Sequence, residues 1–178
     1  MARIELVPEV LDDFDRFLDH LTQHEGVDAP VRMGEILQAM DGHKAAGGCV
    51  NLLTLTCPHQ RTDDLAVLLP KQAKALNRMW SDRTTKAILA EMGTIGQIRA
   101  LEVTHGRLSP QNNGWHPHYH VMIFQGAGVD LARFNQAQMT DWQVRLYLQW
   151  AKACKAAGLG EPSYAHGLKL DDGSKAAK

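Results

Sequence analysis

Trp115-His116-Pro117-His118-Tyr119-His120-Val121-Met122-Ile123-Phe124 sets three imidazoles at alternate positions and runs straight into an apolar stretch. In a β-strand, side chains two apart share a face, so His116, His118 and His120 stand together while Tyr119, Val121 and Ile123 point the other way. Histidines held side by side on one strand form a preformed half-site for a divalent metal or for phosphate chemistry. An exposed strand face tolerates histidines with no function, but a buried one does not, because each buried ring needs a hydrogen bond or a ligand.

Upstream, Asn112-Asn113-Gly114 reads as a turn and Ile95 to Thr104 as a strand, so the two strands are expected to pair antiparallel. Val50-Asn51-Leu52-Leu53-Thr54-Leu55-Thr56 alternates apolar and polar β-formers between Gly47-Gly48 and Pro58, which predicts another strand. Thr62-Asp63-Asp64 supplies helix-capping side chains. Leu65, Leu68, Leu69, Leu76, Met79 and Trp80 continue that helix, with a break expected near Pro70. Asp141 to Ala157 has helical spacing (Trp142, Leu146, Trp150) and stops at Gly158. A short strand over Tyr164 to Leu170 and the start of a helix at Asp172 complete the chain.

Before these elements, Val10, Leu11, Phe14, Phe17, Leu18 and Leu21 predict an amphipathic helix over residues 8–22, and a second helix is expected over 31–45. From Val50 the order is strand, helix, strand, strand, helix, strand. This predicts an α+β fold of the split β-α-β, ferredoxin- or RRM-like kind: an antiparallel sheet of four to five strands flanked by helices. Residues 1–47 read as an N-terminal helical region and 48–178 as the main domain.

At 178 residues and 44% hydrophobic content the chain fits one ordinary core with an N-terminal appendage. No stretch approaches the ~18 apolar residues of a membrane span, and the acidic N-terminus lacks a secretory pattern, so a cytoplasmic protein without membrane contact is expected. Cys49, Cys57 and Cys154 are odd in number and show no C-x-x-C spacing, which predicts reduced core thiols. A formal charge of −1 gives no footprint of non-specific nucleic-acid binding. Locally, acids crowd residues 5–19, while Lys71, Lys74, Arg78, Arg83 and Lys86 recur through the middle helical region, as a solvated helix face or a DNA track.

Glu102 and Thr104 share a face of their strand, so Glu102 can lie across from His118 and His120 and complete a two-histidine, one-carboxylate set. Such a set suits Mg²⁺, Mn²⁺ or Zn²⁺, which polarise a phosphate oxygen. His59 and His105, at strand ends, read first as turn or surface histidines.

Leu52-Leu53-Thr54-Leu55-Thr56-Cys57-Pro58-His59, Arg99-Ala100-Leu101-Glu102-Val103-Thr104-His105 and Gly114-Trp115-His116-Pro117-His118-Tyr119-His120-Val121 occur in the order found in plasmid and phage rolling-circle replication initiators. Over about residues 48–178 the chain resembles that Rep family, whose members are HUH endonucleases. His118-Tyr119-His120 matches the triplet of histidine, bulky residue, histidine.

The resemblance implies an initiator that binds single-stranded or hairpin origin DNA, works with host replication machinery and nicks one strand by metal-dependent tyrosine transesterification. Mn²⁺ or Mg²⁺ would be held by His118, His120 and Glu102, with His116 and His105 as auxiliary groups and Trp115 and Lys175 as DNA contacts. The family's tyrosine follows the last strand on a helix. That position falls after Lys178 here, so the resemblance implies a C-terminally incomplete domain that nicks poorly or not at all, with Tyr164 as the nearest substitute.

Two other readings share these residues. The alternating histidines also match HIT-type nucleotide hydrolases and transferases, in which His118 would be the nucleophile. A non-catalytic nucleic-acid-binding domain is the other, although aromatic residues make up only 6% of the chain and no adjacent-strand pair of them signals base stacking.

Overall fold

In the computed structural model, residues 29–106, 114–127 and 136–172 are described. The elements are α1 (Ala29–Ala45), β1 (Cys49–Thr56), α2 (Leu65–Ser81), α3 (Arg83–Glu91), β2 (Thr94–His105), β3 (Trp115–Gln125), α4 (Gln136–Ala157) and β4 (Leu168–Asp172). The strands form a four-stranded sheet in the order β2-β3-β1-β4, with each neighbouring pair antiparallel. This is the expected α+β split β-α-β arrangement, in which β3 separates β1 from β2. The helix expected over 8–22, Asn112, Asn113 and Lys175 lie outside the described residues.

The two sheet faces bury different things. Leu53 and Leu55 of β1, Val121 and Ile123 of β3, and Leu168 and Leu170 of β4 meet Leu76 and Met79 of α2, Ile88 of α3, and Leu146 and Trp150 of α4. On the opposite face, Met40 of α1 covers Val50, Leu52 and Met122. Burial along β1 records this: its first five residues are buried on both faces, whereas Thr54 and Thr56 are half-buried. One end of that face is thus roofed by α1, and the other end is left for polar side chains.

Several local outcomes differ from the sequence reading. No break occurs at Pro70, which lies inside the continuous α2. Pro70 and Ala66 are both exposed, so the carbonyl that loses its helical partner faces water. The interruption comes at Asp82 instead. Its backbone is extended (φ −66°, ψ 135°), its N–H donates to the carbonyls of Arg78 and Met79 at 3.1 and 3.2 Å, and its carboxylate accepts from Thr84 N at 2.7 Å. One aspartate thereby closes α2 and caps α3. Tyr164–His166 form a turn, which delays β4 to Leu168, and Asp172 ends that strand rather than starting a helix. Cys49, Cys57 and Cys154 are buried free thiols, as expected.

Candidate metal centre

Register assembles the centre. In the β2–β3 pair Glu102 is opposite His118 and Ala100 opposite His120, while in the β1–β3 pair Thr54 is opposite His120 and Thr56 opposite His118. Directly opposed residues point to the same face, so the carboxylate, the imidazoles and the threonine hydroxyls meet beyond the end of the α1 roof. They line a pocket of about 410 Å³ that also includes Thr104 and His116.

Both imidazoles aim the same nitrogen at one oxygen. His118 Nε2 is 2.6 Å and His120 Nε2 2.9 Å from Glu102 Oε2. The side chains are nearly enclosed, with relative exposures of 13% for His118, 5% for His120 and 12% for Glu102. Burial works to raise the Glu102 carboxyl, but hydrogen bonds from His118 and His120 and their charge outweigh it and hold the group well below the usual carboxylate range. It is therefore an anion at neutral pH.

The surroundings orient the rings. Thr54 Oγ1 lies 3.2 Å from His120 Nδ1. This hydrogen bond holds the ring from the side opposite Glu102. His118 Nδ1 is buried without a hydrogen-bond partner among the described residues. Tyr119, the middle residue of the triplet, faces the opposite side, where it packs against the main core. Burial raises its hydroxyl pKa above the ordinary value.

The third histidine belongs to a separate pair. His116 Nδ1 is 2.9 Å from His59 Nε2, and His59 Nδ1 is 3.1 Å from Cys57 O. Since a carbonyl only accepts, His59 donates from Nδ1, and one proton is shared between His59 Nε2 and His116 Nδ1. Burial, then His118 and His59, lower the His116 pKa to about 4, so that ring is neutral at neutral pH.

The other anticipated residues sit farther out. His105 and Trp115 pack edge to face at 4.6 Å between ring centroids, at the end of the β2–β3 pair, and neither lines the pocket. Tyr164 is exposed in the turn before β4, with its ring against Tyr147, and does not line the pocket either. Lys71, Lys74, Arg78, Arg83 and Lys86 lie on α2 and α3, the helices covering the other face of the sheet.

His116 was expected as an auxiliary group, but neither its pairing with His59 nor a role for Thr54 was anticipated. For Thr54 a signal existed in the alternation Leu53-Thr54-Leu55-Thr56, which puts both hydroxyls on the face opposite the core.

The donors fit a divalent cation. One oxygen and two nitrogens, all within 4.8 Å of one another, come from paired strands and include a carboxylate held as an anion. Two imidazoles and one carboxylate leave coordination positions open for a substrate oxygen or water.

A sequence model of the family described as Replication protein matches residues 26–156. A curated relative, "Protein rep" from Streptomyces lividans, is 28% identical over 174 residues, covering 77% of this chain and 37% of the relative. The "Neomycin resistance protein" of Streptomyces cyanogenus is 28% identical over 145 residues, covering 62% of this chain and 32% of that protein. The chain thus spans about a third of the length of these curated relatives. Among solved structures, a hydantoinase/carbamoylase family amidase from Burkholderia ambifaria is similar over 71% of this chain and 28% of its own, at 11% identity and a TM-score of 0.30, a likeness too slight to bear on fold or function. The match of the family model over most of the sequence, from α1 through nearly all of α4, shows that the chain belongs to the Replication protein family.

Proposed function

We propose that this chain is the metal-binding nuclease domain of an HUH-type replication initiator, which binds single-stranded or hairpin origin DNA and nicks one strand to start rolling-circle replication. The observation carrying this reading is the convergence of His118 Nε2 and His120 Nε2 on Glu102 Oε2 in a pocket open at one end of the sheet. A bound Mn²⁺ or Mg²⁺ would offset negative charge on the scissile phosphate and orient it for in-line attack.

The chain's own residues prepare the site. Glu102 and the two imidazoles hold the ion, Thr54 fixes the His120 ring, and the sheet behind them prevents collapse of the ligand geometry. The nucleophile in this reading is a tyrosine following β4. Its hydroxyl gives up a proton as the oxygen bonds to phosphorus, and the P–O3′ bond breaks; O3′ takes up a proton in turn, leaving a free 3′ hydroxyl and a 5′-phosphotyrosyl link. Residues 48–178 carry this domain, and the roofing helix α1 precedes it. Work in the cytoplasm beside host replication machinery follows from the same reading.

The test is thermal unfolding with and without Mn²⁺, for the wild-type chain and for His120→Ala, because an ion that binds only the folded state raises Tm. A Mn²⁺-dependent rise that disappears in His120→Ala supports the proposal. Next, the protein with Mn²⁺ should bind single-stranded origin DNA, read by a gel shift, and His120→Ala should bind it more weakly. An unchanged Tm in wild type at millimolar Mn²⁺ would sink the metal-dependent reading.

A further inference from the structure

A second pocket of about 600 Å³ opens beside the metal centre and shares two wall residues with it, Thr56 and His116. The two spaces adjoin at these two residues. The second is bounded by His59 and Arg61 on the segment after β1, and by Ser163 and His166 on the turn before β4.

The walls are fixed by close backbone contacts. Gly114 has φ +78°, and a Cβ there would fall 2.8 Å from both Arg61 Cα and Arg61 O, so the segment after β1 is pressed against the start of β3. On the other side, Gly167 N–H donates to Ser163 O at 2.7 Å and Thr56 N–H donates to Gly167 O at 3.0 Å. A Cβ at Gly167 would lie 2.6 Å from Pro162 Cβ, so that turn is equally tight. The His59–His116 hydrogen bond of 2.9 Å joins the first wall to the shared one.

The chemistry of this second pocket favours an anion carrying a flat ring. Arg61 is exposed. The acid on the lining, Glu161, is engaged by Lys155 Nζ at 2.5 Å, which offsets its charge. Imidazoles and proline surfaces offer stacking area, and the volume falls in the range of small-ligand sites. A DNA strand with one phosphate at Glu102, His118 and His120 runs onward from it, and this pocket adjoins that centre at Thr56 and His116.

We infer that the second pocket is a nucleotide subsite: it takes the nucleotide next to the phosphate seated at the metal centre, with the Arg61 guanidinium on that nucleotide's phosphate. The inference rests on the metal-nuclease reading and goes further by assigning Arg61 and the 163–167 turn to strand binding. Arg61 donates to phosphate oxygens through a planar fork suited to them. The His59–His116 pair holds the wall between the two spaces.

The experiment is fluorescence anisotropy of a fluorescein-labelled oligothymidylate of about a dozen nucleotides with Mn²⁺ present, over a salt series, alongside the Mn²⁺-dependent Tm shift. For Arg61→Ala the expected result is about 10-fold weaker binding and a salt slope smaller by about 0.7, as for loss of one phosphate contact on a single strand. Its Mn²⁺ shift should match wild type. Ser163→Trp, which fills the pocket, should weaken binding with the salt slope unchanged, a pattern that a general loss of charge would not give.

Binding by both variants within twofold of wild type, with the Mn²⁺ shift intact, overturns the subsite and leaves the metal centre standing. Wild-type chain that shows the Mn²⁺ shift but does not bind the oligonucleotide overturns it as well. A wild-type chain without the Mn²⁺ shift removes the metal reading itself and the subsite with it. Arg61 is exposed, so Arg61→Ala remains informative if Ser163→Trp fails to fold.

Discussion

Thr54 stands directly across the β1–β3 pair from His120, and its hydroxyl lies 3.2 Å from the ring nitrogen that faces away from Glu102. In Thr54→Val the shape is nearly kept and the hydrogen bond is lost. Partners of this kind fix ligand orientation, so the variant should bind Mn²⁺ about 10-fold more weakly or worse, at a stability cost of about 1 kcal/mol without metal. Mn²⁺ titrations followed by Tm, compared with metal-free unfolding, measure both effects. Equal affinities would mean that packing alone orients the ring.

Glu102→Gln keeps the size of the side chain and removes its charge. We expect the Mn²⁺-dependent rise in Tm to shrink sharply, because the amide lacks the negative charge that sets affinity for a divalent cation. Without metal, acid sensitivity should change too. Burial raises the Glu102 carboxyl, but His118 and His120 pull it below its ordinary 4.5, so the stabilisation it gives is complete above that pH and is lost as pH falls toward the folded value. Unfolding measured from pH 6 downward should show a shallower acid loss in the glutamine variant.

Arg145 bridges α4 to α3 by donating from Nη1 and Nη2 to Glu91 at 2.9 and 2.8 Å. The pair is exposed at the surface, so Arg145→Ala should cost less than about 1 kcal/mol, and less again at high salt. Hydrogen bonds from Arg145 first and Trp142 second lower the Glu91 carboxyl, so the small contribution is present above its ordinary 4.5 and fades at lower pH. Denaturant unfolding at two salt concentrations is sufficient; a loss of several kcal/mol would reveal a role beyond the ion pair.

Trp150 is fully buried in the main core, and its indole Nε1 donates to Thr56 O at 2.9 Å. Trp150→Ala should destabilise by about 3–5 kcal/mol through the cavity it leaves, with a further loss from the unpaired carbonyl. Because Thr56 lines the metal pocket, Trp150→Phe is the sharper variant. It should fold, yet show a reduced Mn²⁺ shift if the end of β1 moves. Chemical denaturation and the Mn²⁺ shift, read together, separate stability from site geometry.

The strands were legible because period-two patterning and the glycine-rich boundaries agree, and Glu102 could be matched to His118 and His120 once antiparallel pairing was assumed. Asp82 was not legible as a helix junction, since the apolar spacing of α2 and α3 runs together and the break depends on a capping carboxylate. Pro70 misled because the rule for proline takes no account of which way the freed carbonyl faces. The His59–His116 pair depends on a loop folding back against Gly114, a contact between residues far apart in sequence that no local pattern encodes. Nor does local pattern say that α1 would roof one end of the site's face.

β3 is paired on both edges, with β2 along its length and with β1 from His118 to Gln125. Amides on such a central strand exchange with deuterated solvent mainly when the whole sheet opens, unlike those of fraying edges. An ion held from that strand stabilises the folded state as a unit. Its protection should therefore appear as one common increment across the slowest amides of β1, β2 and β3, including those far from the pocket.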